Sequence, residues 1–145
     1  MSGRAVIRLG GEHGDSGALE AVILVPVVLA MFALVVAYGR TTQADTKVEH
    51  AAAVGARAAA TAQTAGAGAA LAGRVVDDSL ARAGLACTSR SVNVSGQWSP
   101  GGRVTVAVSC VASLADLTGL GLPLGSRTLS ATATEVIDVN RGGAP

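Results

Sequence analysis

The chain has 145 residues, a net charge of +1 and only three aromatic side chains, Phe32, Tyr38 and Trp98. Neither end carries a basic cluster, so the electrostatic footprint of a nucleic-acid binder is missing and nucleic acid is set aside as a partner. Phe32 and Tyr38 lie within or at the edge of one apolar segment. What remains, about a hundred residues, suits one small domain and excludes a large enzyme-like core.

Residues 1–17 are short, polar and punctuated by Gly10, Gly11, Gly14 and Gly17, so they read as a leader with nothing to pack. Residues 21–39 then carry no charged side chain, and Glu20 stands alone at the head of the run. With a rise of about 1.5 Å per residue, a helix over this run is about 28 Å long, close to the roughly 30 Å hydrocarbon thickness of a bilayer. The expectation is a transmembrane helix over residues 18–39. A cleaved secretory signal would stop near Ala30-Met31-Phe32-Ala33, whereas here the apolar run continues to Tyr38 before Gly39-Arg40 ends it. Pro26 removes one backbone donor inside the helix and is expected to bend it. Arg4 and Arg8 on one side balance Arg40 and Lys47 on the other, so counting cations does not orient the span. The N-terminus is placed inside because both cysteines lie beyond the span.

From Arg40 onward, Val48, Ala51, Ala52, Gly55, Ala58, Ala59 and Ala62 recur at spacings of three and four. The helix is expected to continue outside the membrane with a narrow face of small side chains. Such a face admits a close neighbour and suits several partners better than a self-sufficient core. Strong alanine helix propensity alone would give the same pattern. Gly66 and Gly68 interrupt it, and Ala69 to Ala83 forms a second helix closed by Gly84. Residues 40–84 thus read as an extracytoplasmic helical region.

The period then changes to two. Ser91 to Ser95 alternates, Ser99-Pro100-Gly101-Gly102 turns the chain, and Arg103 to Cys110 alternates again, which predicts a hairpin. A loop over Leu114 to Gly125 follows, and Thr128 to Ile137 supplies a third strand. Residues 85–139 form a small antiparallel β domain in this reading, residues 140–145 a tail, and the fold class is α+β. Cys87 and Cys110 enclose the first strand and turn. Their bridge would close a loop of about 24 residues and stabilise the domain by roughly 3 to 3.5 kcal/mol. The alternative is two small buried thiols.

No catalytic residue, metal or cofactor is expected. His13 lies in the leader, His50 on the polar side of the long helix, and Asp77-Asp78 is a surface pair on the second helix. Glu20 stands apart, since a charged side chain facing lipid costs up to about 2.5 to 3.5 kcal/mol at the midplane and less near an interface. It either sits in the headgroup layer, favoured by the helix dipole, or pairs with a newly exposed N-terminal amine of a neighbouring helix. Pairing of that kind favours a staggered helical assembly.

The glycine-bearing leader, the acid at the head of the span, the Leu-Glu-Ala-Val-Ile-Leu-Val-Pro run of residues 19–26, and the Tyr38-Gly39-Arg40 stop carry a resemblance. With the late Leu-Gly-Leu-Pro-Leu segment and the alternation from Thr128 to Thr134, they resemble the TadE-like pseudopilins of tight-adherence secretion systems, over about Gly14 to Val139. The resemblance implies a minor pilin-like component of a type IV pilus apparatus, extracted into a filament or its tip. It further implies cleavage by a prepilin peptidase after a leader glycine, and contacts with other pilin or pseudopilin subunits and with a pilus assembly platform. Family pilins keep glutamate at the fifth mature position, which makes Glu20 the assembly residue. A cut after Gly14 would make it sixth, and a cut after Gly17 third. An uncut, single-pass exported protein that binds an extracellular partner through its β domain is the alternative reading.

Overall fold

A computed structural model describes residues 15–119, 121 and 125–140, with side chains from residue 21 onward. The element order is α1 (Asp15–Thr61), α2 (Ala65–Arg82), β1 (Ser89–Gly96), β2 (Arg103–Ser113), α3 (Leu114–Thr118) and β3 (Ser126–Val136). The fold is α+β: a long N-terminal apolar helix, a second helix and a three-stranded antiparallel sheet. Two units are distinguished, residues 1–36 and 37–145, and α1 contributes to both.

In the first unit, every described side chain from Ala21 to Val36 is exposed. The most apolar 18-residue stretch of α1 has a mean hydropathy of 2.8 and none of it is buried. A soluble core helix would hide such a stretch, so by length and composition this is a helix fit to cross a bilayer. Pro26 lies inside α1, and the helix runs unbroken through it.

The second unit is built on the strand order β1-β2-β3, with both pairings antiparallel. β2 is central and alternates strictly: Val104, Val106, Val108, Cys110 and Ala112 are buried, and their neighbours are not. Cross-strand partners continue the apolar face, Val92 and Val94 opposite Val108 and Val106, and Leu129, Ala131 and Ala133 opposite Cys110, Val108 and Val106. The other face is lined by small hydroxyl side chains, with rows such as Ser91, Ser109 and Ser130, and the Thr105 and Thr134 hydroxyls 2.9 Å apart.

One apolar sheet face needs a cover, and the two helices provide it. Ala44, Val48, Ala51, Ala52, Ala56 and Ala59 of α1 and Ala72, Val76 and Leu80 of α2 are buried in the same core as β2. The small-residue face of α1 is therefore occupied within the chain itself, rather than kept for several external neighbours. Gly55 shows why the residues are small: a Cβ there would lie 2.7 Å from Val76 Cγ2 and 3.5 Å from Val106 Cγ1. A helix, a second helix and a strand meet at that point.

Two expectations change at the α2 boundaries and in the loop. Gly66 and Gly68 do not interrupt the helix but lie inside α2, which starts at Ala65 behind Thr64. The Thr64 side chain accepts from the Ala67 amide, so the cap sets the boundary and the glycines are carried along. Gly68 is there for space, since a Cβ would meet the Trp98 indole at 2.9 Å. That indole donates from Nε1 to the Ala59 carbonyl at 3.3 Å, tying the hairpin loop to the end of α1. At the other end Gly84 (φ +66°) donates to Ala81, and Leu85 donates to Leu80, with both leucines buried. This is a Schellman closure with its apolar contact. The expected loop over Leu114 to Gly125 contains the five-residue α3, opened by the Ser113 side chain accepting from the Ala115 amide.

Cys87 and Cys110 are joined in a disulfide with Cα atoms 5.4 Å apart, closing a separation of 23 residues. Cys110 is buried in the core, so the bridge ties the entrance of β1 to the centre of the sheet. Cys87→Ala with Cys110→Ala is expected to cost about 2 to 4 kcal/mol. For a unit of this size that lowers the midpoint of thermal unfolding by about 10 °C or more, and two free thiols found by alkylation mapping of the membrane-extracted chain would refute the bridge. Gly55→Leu forces a branched side chain into the junction of α1, α2 and β2. It is expected to destabilise by about 1 to 3 kcal/mol or more, read as a lowered unfolding midpoint of the detergent-solubilised chain.

Candidate assembly site

The residues singled out for assembly all belong to α1 or to the segment before it. Gly14 and the rest of residues 1–14 lie outside the described residues, as do residues 141–145 of the expected tail. Gly17 and Glu20 have helical backbone in the first two turns of α1, and their side chains are outside the described ones. Position 20 shares a helix stripe with Ile23, Leu24 and Val27, each at least 49% exposed. An acid at this position thus heads a continuous apolar stripe.

The charge-free run ends with local backbone satisfaction. The hydroxyls of Thr41 and Thr42 donate back to the Tyr38 carbonyl at 2.7 and 3.1 Å, and Thr46 donates to the Thr42 carbonyl at 3.2 Å. Arg40, the first ionisable residue after the run, reaches from Nη1 toward the Thr118 carbonyl at the end of α3 at 3.5 Å. One turn further, Asp45 accepts from Arg127 Nη2 of β3 at 3.1 Å. Both contacts link α1 to sequence about eighty residues away, and both pairs are half exposed, so each adds at most about 1 kcal/mol. They define position more than stability.

The carboxylates considered for chemistry are engaged otherwise. Asp77 pairs with Arg90 and Asp78 with Arg82, the latter at 2.8 Å. His50 is exposed. Among the described residues no group of three or more His, Cys, Asp or Glu is placed to hold a metal ion.

Sequence reasoning missed the Trp98 tether, the Arg40 contact and the Asp45–Arg127 pair. Of these only Trp98 carried a signal, being the one tryptophan of the chain, placed beside a turn. The two arginine contacts depend on which strand and which loop arrive beside α1, which no local pattern encodes.

No curated protein and no solved structure matches this chain. Residues 16–57, from the turn ahead of Glu20 to the packed half of α1, match the model of the family described as TadE-like protein, a match consistent with a TadE-like family member.

Proposed function

We propose that the chain is a pilin-like minor component, a pseudopilin, of a tight-adherence type pilus or secretion apparatus. Residues 18–39 hold it in the cytoplasmic membrane, with the N-terminus inside and the helical region 40–84 and β domain 85–139 outside. The single observation that carries this reading is that the TadE-like match covers Glu20, the charge-free run and the first packed turns of α1 together. The family thus coincides with the membrane-fit helix rather than with the sheet.

In this reading Glu20 is the assembly residue. Held at the head of a lipid-exposed helix, its charge is stabilised by the N-terminal amine of an adjacent subunit, and that pairing sets the axial stagger between helices. The small-residue face of α1 is already filled by the chain's own α2 and sheet, so packing between subunits falls to residues 21–36 and to the surface of the outer domain. A prepilin peptidase cut after Gly14 leaves Asp15 as the first residue and makes Glu20 the sixth, one place from the fifth-position pattern. A cut after Gly17 would make Glu20 the third residue, too close to the new amine for the usual stagger. We therefore assign Gly14 as the processing glycine. The runner-up, an uncut anchored protein that binds an outside partner through its β domain, draws on the departure of this spacing from the fifth-position pattern.

N-terminal sequencing of the membrane-extracted protein is expected to read Asp15-Ser16-Gly17; an intact leader would favour the runner-up. Glu20→Ala is expected to leave the membrane-associated amount unchanged and to lower recovery in sheared surface fractions by about tenfold or more, the scale of losing an ion pair out of water. Undiminished recovery of that variant would remove Glu20 from the assembly role.

A further inference from the structure

A cavity of about 460 Å³ opens beside the turns of α1 that follow the charge-free run, bounded by the connection from α2 to β1 and by α3. Its volume falls in the range of small-molecule sites, about 300 to 1,000 Å³. Arg40 and Lys47 line it from α1, and Asp116 lines it from α3. Seven positions apart, the two cations lie on one side of the helix, roughly 10 Å apart along its axis. Leu85 and Leu117 supply buried apolar wall between them.

The polar groups of this cavity are poorly used by the protein. Arg40 reaches the Thr118 carbonyl only at 3.5 Å, long for a hydrogen bond. Lys47 and Asp116 have no hydrogen bond or ion pair among the described residues. Asp45, the acid nearest to both cations in sequence, is taken by Arg127, and Glu49 is exposed and does not line the cavity. Lys47 and Asp116 thus face a shared space without partners among the described residues, and Arg40 is held there by one long contact. A guanidinium fork suits a phosphate, and an ammonium adds a point charge to the same anion. The carboxylate across the cavity suits a cationic group on the same ligand.

Position along α1 narrows the source. The polar headgroup layer extends roughly 5 to 8 Å beyond the hydrocarbon on each side, and Arg40 is the residue that follows the end of the run. We propose that this cavity receives the headgroup of an aminophospholipid of the phosphatidylethanolamine type. The phosphate lies between Arg40 and Lys47, the primary ammonium meets Asp116, and the glycerol end rests on Leu85 and Leu117. The site is used while the chain resides in the membrane, and it rests on the reading that residues 21–39 span the bilayer.

Native mass spectrometry of the full chain, released from detergent with added phosphatidylethanolamine or phosphatidylglycerol, tests the assignment. One phosphatidylethanolamine per chain is expected to be retained, more strongly than phosphatidylglycerol. Arg40→Gln and Lys47→Gln each weaken retention about tenfold or more, and Asp116→Asn equalises the two lipids. Unchanged Trp98 emission in each variant excludes misfolding as the cause. Retention by Lys47→Gln equal to the parent chain, or no preference between the two lipids in the parent, overturns the assignment. Displacement of the lipid by millimolar inorganic phosphate also overturns it, because the site then reads free phosphate. Carbonate extraction separates the two readings: release from membranes refutes the span itself, whereas firm insertion without lipid retention refutes only the cavity's ligand.

Discussion

Close approach at Gly55 is the constraint on which the second unit depends. A single added carbon there would press on a valine of α2, a side chain that is stiff about χ1 and has little room to yield. The alanines at 51, 52, 56 and 59 extend the same seam, so α1 can lie near both α2 and the central strand. Small side chains bury little area each, about 25 cal/mol for each Å² removed from water. The core they make is tight but modest, with valine and leucine from the sheet and α2 supplying the bulk. That explains why the remaining devices of the unit are tethers: a disulfide from the entrance of β1 to the central strand β2, the indole of Trp98 on the end of α1, and a capped beginning and end for α2.

The two halves of α1 obey opposite rules. Residues 21–36 are apolar on all sides and bury nothing within the chain, the composition of a helix whose solvent is lipid. Residues 44–59 are apolar on one side only and bury it completely. Between them, threonine hydroxyls bonded back to Tyr38 and Thr42 close the transition without interrupting the helix. One helix can thus serve as a membrane element and as a structural wall of a folded unit. The TadE-like match over residues 16–57 falls on that dual-purpose element.

The cavity beside Arg40 belongs to the same logic. Its cations stand at the point where the chain leaves an apolar environment, and its walls come from α3 and the α2 to β1 connection. Neither of those segments touches the long helix by sequence, yet both arrive there because the antiparallel pairing of β1 and β2 sets the end of β2, where α3 begins, beside the start of β1.

The amino-acid sequence by itself determined the charge-free run, its length, the acid at its head, the three alternating strands and the closure of α2 at Gly84. Each is a local pattern whose period or composition follows from helix rise, pleat or backbone freedom, so no distant residue is needed to read it. The tertiary structure alone decided three other things. Gly66 and Gly68 lie inside α2 because a threonine cap and an incoming indole outweigh glycine's cost of about 1 kcal/mol. The alanine face of α1 is covered by the chain itself, because the sheet has one apolar side and α1 and α2 are the elements that fill it. Arg40, Lys47 and Asp116 share a cavity because strand order, not sequence distance, sets which loops meet the helix.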